Sequence, residues 1–93
     1  MKIAVCDDEP HDLDLLCALI RRYNSGLDLT TFQRASALLD AFQSDFYDLV
    51  FLDIEMPGMN GIYVGNELKK ANKNVIIFVV TSYSEYLDEA MRF

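Results

Sequence analysis

Short apolar runs and amphipathic stretches alternate along the chain from its second residue. Lys2–Cys6 is a short apolar run that predicts a buried strand. Pro10–Tyr23 has helical period, with Leu13, Leu16, Cys17 and Ile20 on one face. Pro10 suits a first helical turn, where its missing N–H is not needed, and Asn24-Ser25-Gly26 reads as the stop. Leu27–Phe32 alternates and favours strand. Ser36 is placed to cap a second helix whose apolar side is Leu38, Leu39 and Phe42. Leu49–Leu52 predicts a third strand, and Gly61–Asn72 a third helix with Val64, Leu68 and Ala71 inward. Val75–Val80 is an unbroken apolar, mostly β-branched run, the pattern of a strand covered on both faces. Ser84–Phe93 predicts a fourth helix, with Leu87, Ala90 and Met91 inward. Strands alternating with helices imply right-handed crossovers and a parallel sheet with helices on both faces. The expected fold is therefore α/β, a single domain over residues 1–93.

Ligands of open parallel sheets bind outside the carboxyl ends of the strands, so the residues at those ends are the candidates for chemistry. Asp7, Asp8 and Glu9 follow the first strand, Asp53 and Glu55 the third, and Thr81 and Ser82 the fourth. Only Gln33-Arg34 follows the second. If strands one, three and four are neighbours, these groups converge. Clustered carboxylates repel, so such a site needs a cation or protons. An all-oxygen donor set favours Mg²⁺, Mn²⁺ or Ca²⁺, and few carboxylates plus water favours Mg²⁺ beside a phosphate.

Composition narrows the partners. The formal net charge of −7 repels phosphate backbones, so no direct nucleic-acid binding by this chain is expected. No apolar stretch spans a membrane, and the first residues are too short an apolar run for a secretory signal, so a cytoplasmic place is expected. Cys6 and Cys17 lie in apolar segments and read as reduced core residues. No Cys/His grouping suggests zinc. The single histidine, His11, falls on the outward face of the first helix with Leu15, Ala18 and Arg22. Gly58 and Gly61 are expected to permit tight backbone in the loop after Asp53.

Three of these segments together resemble the receiver domain of two-component response regulators. They are Asp7-Asp8-Glu9 after the first strand, Asp53 through Met56-Pro57-Gly58 to Gly61 after the third, and Thr81 after the fourth. The resemblance implies a flavodoxin-like doubly wound sheet of strand order 2-1-3-4-5. It implies Asp53 as phosphoacceptor, with Mg²⁺ held by Asp8, by Asp7 largely through water, by Asp53 and by the backbone carbonyl of Glu55. Thr81 would bond a phosphoryl oxygen, and a histidine kinase would be the donor. The kinase of such systems docks on the first helix, which makes His11, Leu15, Ala18 and Arg22 a candidate contact. Tyr83 and Tyr86 would lie near the signalling surface. Val5–Glu9 and Thr81–Tyr86 are similar to receivers joined to LytTR-type DNA-binding domains, so the full-length protein is expected to carry such an output domain.

The resemblance also has a gap. Family members finish with a fifth strand and helix, and that strand supplies a lysine and a switching aromatic. Lys69, Lys70 and Lys73 fall on a helix and its exit turn, so no residue here takes that lysine role. The expectation is a receiver lacking its fifth βα unit, forming a homodimer or strand-exchanged oligomer through the fourth strand. Other readings remain open. Glu55 has the spacing of a general acid in Mg²⁺-dependent phosphohydrolases on related sheets. A flavodoxin-like flavin site would need a hydroxyl- or Gly-rich phosphate loop after the first strand, where Asp7-Asp8-Glu9 would repel the phosphate. A receiver that takes no phosphoryl group and acts only through partner binding is the third.

Overall fold

The computed structural model describes residues 1–80. The fourth predicted helix, Ser84–Phe93, lies outside the described residues. The described elements are β1 (Lys2–Cys6), α1 (Pro10–Tyr23), β2 (Asp28–Phe32), α2 (Ala35–Ser44), β3 (Leu49–Asp53), α3 (Gly61–Ala71) and β4 (Ile76–Val80). The sheet is parallel, in the order β2-β1-β3-β4. β1 and β3 therefore sit side by side at the centre, which places their carboxyl ends next to each other.

Side-chain alternation along the central strands builds two cores. Ile3 and Val5 turn to one face and pack with Leu13, Cys17 and Ile20 of α1. Ala4 and Cys6 turn to the other and join Val50 and Leu52 beneath Leu38 and Phe42 of α2 and Val64 and Leu68 of α3. Both cysteines are free and buried. The opposite edge of the sheet is tied by polar contacts. Asn72 caps α3 from a buried position, its Nδ2 donating to the Tyr47 carbonyl at 3.1 Å and its Oδ1 accepting from Asn74 N–H at 3.0 Å. Lys2 pairs with Asp45 and lies 5.2 Å from the centroid of the Tyr47 ring.

Three local expectations fail. α2 starts at Ala35, with Arg34 in the cap position and no side-chain cap, so exposed Ser36 lies inside the first turn. A serine cap contributes about 1 kcal/mol, whereas burying Leu38 or Phe42 contributes about 1.5–3 kcal/mol each, so packing sets the helix register. Ala71 is exposed, because the buried place at the end of α3 goes to Asn72. β4 is not covered on both faces. It pairs with β3 alone among the described residues, and Ile76 is 55%, Phe78 51% and Val79 62% exposed. Only Val75 before it is fully buried, while Ile77 packs beside α3 at Gly65. Phe78 instead stacks on Phe51, with ring centroids 5.4 Å apart.

Candidate functional site

The carboxyl ends of β1 and β3 carry the site. Asp7 directly follows β1, and its N–H donates to the Phe32 carbonyl at 3.0 Å, which continues the pairing with β2. Asp53 is the last residue of β3. The two make the same local turn. Asp7 Oδ1 accepts from Glu9 N–H at 3.0 Å, and Asp53 Oδ1 accepts from Glu55 N–H at 2.9 Å. Aspartate favours this arrangement because its short side chain reaches the backbone two residues on. One oxygen of each carboxylate is thus pinned, and the plane of each is fixed.

Asp7 and Asp53 are buried, at 3% and 2% exposure, while Asp8 is open to solvent. One carboxylate oxygen from each of the three lies within 4.8 Å of the others. Burial first, opposed by the Glu9 N–H that favours the anion, and then the contact with Asp53 and its charge push the Asp7 carboxyl up to about 6. The neighbouring Cys6 thiol is pushed up to about 12, by burial first and then by the charges of Asp7, Asp53 and Asp8. Such a thiol is not a nucleophile near neutral pH. The raised Asp7 marks a site short of positive charge. A hard divalent cation relieves that shortage, and three convergent carboxylates with one open side match Mg²⁺, which keeps waters and meets phosphate. Asp7, Asp8 and Asp53 fit such an ion.

The loop after Asp53 is shaped by its punctuation. Met59 N–H bonds the Met56 carbonyl at 3.2 Å, and buried Met56 anchors the turn. Pro57 and Gly58 occupy its centre, with Gly58 at φ +73°, where a side chain would be strained. Asn60 then caps α3, accepting from Ile62 N–H at 3.0 Å and Tyr63 N–H at 3.2 Å. Gly61 serves differently from the expectation. Its φ is not positive, and a Cβ there would meet the Ile54 side chain at 3.2 Å, so close approach is what favours glycine.

Other site residues fall as follows. Glu9 caps α1 by accepting from His11 N–H at 3.2 Å. Glu55 is half-buried. Thr81, like Ser82, Tyr83 and Tyr86, lies outside the described residues. His11, Leu15, Ala18 and Arg22 are all exposed on α1, and Leu19 (61%) and Tyr23 (93%) extend the apolar exposure there. Sequence reasoning passed over one neighbour. Asp8, Arg34, Ser36, Met56, Pro57 and Met59 line one cleft. The available signal was topology: β1 and β2 pair in parallel and end together at Cys6 and Phe32, so the loops that carry Asp8 and Arg34 leave the same edge of the sheet.

Comparison with known proteins supplies a family. The family described as response regulator receiver domain matches residues 3–93. The sensory transduction protein LytT of Bacillus subtilis is 28% identical over 86 residues, which cover 92% of this chain and 36% of LytT. The transcriptional regulatory protein LytR of Staphylococcus aureus is 27% identical over 90 residues, covering 97% of this chain and 37% of LytR. The chain thus spans a little over a third of the length of these curated relatives. Among solved structures, the response regulator TrrA from Thermotoga maritima in complex with Mg²⁺-BeF superposes with a TM-score of 0.77 at 39% identity. That match covers 95% of this chain and 75% of TrrA. In the complex of the histidine kinase ThkA with TrrA, the match has a TM-score of 0.75 at 40% identity, over 91% of this chain and 72% of the other. Among the described residues, no helix is long and apolar enough to cross a membrane.

Proposed function

The chain belongs to the response regulator receiver domain family, and from that premise we propose that Asp53 accepts a phosphoryl group from a histidine kinase. The observation that carries this reading is the convergence of Asp53 from β3 with Asp7 and Asp8 from β1. Asp53 supplies the nucleophile. Its carboxylate oxygen attacks phosphorus, the bond from phosphorus to the donor's imidazole nitrogen breaks, and an aspartyl phosphate results. The Glu55 N–H holds the carboxylate plane during attack. Bound Mg²⁺ would offset the charge on the phosphoryl oxygens. Asp8 would be its main protein ligand, with Asp53, the Glu55 carbonyl and, through water, Asp7. Thr81 would bond a phosphoryl oxygen. TrrA, crystallised with Mg²⁺-BeF and separately with a histidine kinase, supports this reading.

The exposed face of α1, with His11, Leu15, Ala18 and Arg22, is the proposed kinase contact. The length of LytT and LytR supports an output domain in the full-length protein, with transcription control as the consequence. A polypeptide of residues 1–93 alone is expected to self-associate, because β4 presents Ile76, Phe78 and Val79 to solvent on an edge that pairs readily. Light scattering checks this: a monomer at micromolar concentration refutes it, and Val79→Lys should shift an oligomer toward monomer.

Incubation with Mg²⁺ and acetyl phosphate, followed by mass spectrometry of peptides, tests the function. Label on the peptide bearing Asp53 is expected. Label elsewhere, or none, overturns the reading. A generic phosphate ester should not be turned over; steady turnover would favour a phosphohydrolase with Glu55 as general acid. Asp8→Ala should weaken Mg²⁺ binding by at least about tenfold in isothermal titration, given that even supporting residues of metal sites are worth tenfold or more. Equal binding removes Asp8 from the ligand set.

A further inference from the structure

We propose that Arg34 binds the anionic phosphoryl donor at the mouth of the acidic site, favouring small dianionic acyl phosphates. This rests on the reading of Asp53 as acceptor and adds the residue that receives the donor.

In a parallel sheet with helical crossovers, strands end where helices begin. Lys2 opens β1, Arg21 and Arg22 close α1, Lys69 and Lys70 close α3, and Lys73 follows α3. All six therefore belong to the edge opposite the site. Arg34, between β2 and α2, is the one cationic side chain at the site's edge among the described residues. The chain as a whole carries −7, and three carboxylates crowd this edge. A dianionic donor approaching it meets repulsion that one divalent ion, already bound by carboxylates, only partly offsets.

Arg34 is placed and free to act. It lines the same cleft as Asp8, together with Ser36, Met56, Pro57 and Met59. The parallel β1–β2 pairing ends at Cys6 and Phe32, so the loops that carry Asp8 and Arg34 leave the same edge of the sheet. Its side chain does not cap α2, and among the described residues the ion pairs are Lys2–Asp45 and Lys70–Glu67. The cleft thus offers both a carboxylate for the cation and a guanidinium for the anion. A guanidinium matches phosphate and carboxylate oxygens with paired N–H donors. In the reaction, an Asp53 oxygen attacks phosphorus and the phosphorus–oxygen bond to the acyl group breaks. The carboxylate leaving group departs with the electron pair, and no proton is needed. Arg34 is suited to hold the donor before that step.

The test follows Asp53 labelling by acetyl phosphate at saturating Mg²⁺ in the wild type, Arg34→Gln and Arg34→Lys. Arg34→Gln is expected to lower the second-order rate constant about three- to tenfold at low ionic strength, because an exposed charge acts mainly on encounter. Arg34→Lys should recover most of the loss, since it keeps the charge. The difference should shrink as salt screens the cleft. Mg²⁺ affinity should not fall, since a nearby positive charge is removed, and the thermal midpoint should match the wild type. A wild-type rate in Arg34→Gln overturns the proposal, as does a loss that lysine does not rescue or that salt leaves unchanged. A wild type that takes no label on Asp53 overturns the underlying function as well.

Discussion

Replacing Asp53 with asparagine is expected to abolish labelling by acetyl phosphate while leaving the fold intact. Asparagine is nearly isosteric, and its Oδ1 still accepts from the Glu55 N–H that Asp53 holds at 2.9 Å. The loop to α3 therefore keeps its start. What is lost is the anionic oxygen that the proposed attack needs, and the Cys6 thiol, buried and pushed up to about 12, does not replace it. The substitution also removes one of two buried carboxylates that face each other. The burial and charge that now raise Asp7 include a contribution from Asp53, so Asp7 should return toward its ordinary range. Without Mg²⁺, the variant is expected to be as stable as the wild type or more so, by about 1 kcal/mol, or about 4–8 °C in thermal midpoint for a domain of this size. With Mg²⁺, the wild type should gain stability by mass action and the variant much less. Mass spectrometry and calorimetry of the same samples check both parts. Full labelling of Asp53→Asn would show that another group accepts the phosphoryl, and a large drop in its midpoint would show that Asp53 is chiefly structural.

Much of this arrangement was legible before any coordinates. Period decided the core: Leu13, Cys17 and Ile20 of α1, and Val64 and Leu68 of α3, are buried as their spacing requires. The site was legible for a topological reason. Asp7, Asp8 and Asp53 sit where apolar runs stop, and a parallel sheet gathers such points along one edge. What was not legible depended on partners rather than pattern. An apolar run such as Val75–Val80 carries the composition of a covered strand, but exposure is decided by what lies over it, and Ile76, Phe78 and Val79 stand open. Ser36 has the chemistry of a cap, yet the burial of Leu38 and Phe42 chose the register. Arg34 carried no signal on its own, because its meaning comes from sharing a cleft with Asp8.

Leu68→Ala is expected to produce a large loss of stability without touching the site chemistry. Leu68 is fully buried in the core beneath α2 and α3, among Leu38, Val50, Leu52, Val64 and Val75. Truncation removes its burial and leaves a cavity that a β-sheet floor relaxes into poorly, which costs about 2–5 kcal/mol. A domain of this length has about 5–14 kcal/mol to draw on, so the loss is a third or more of the total at mid-range. Ile62→Ala on the same helix is the control, since Ile62 is 78% exposed and should change stability by no more than about 0.5 kcal/mol. Urea titration separates the two: the midpoint of Leu68→Ala should fall with its slope unchanged, and that of Ile62→Ala should stay. Asp53 ends β3 and Asp8 lies in the loop after β1, neither on α3, so the folded fraction of Leu68→Ala should still take label on Asp53. Mg²⁺ should recover part of its midpoint by binding the folded state alone. If Leu68→Ala is as stable as Ile62→Ala, the packing of α3 on the sheet described above is wrong.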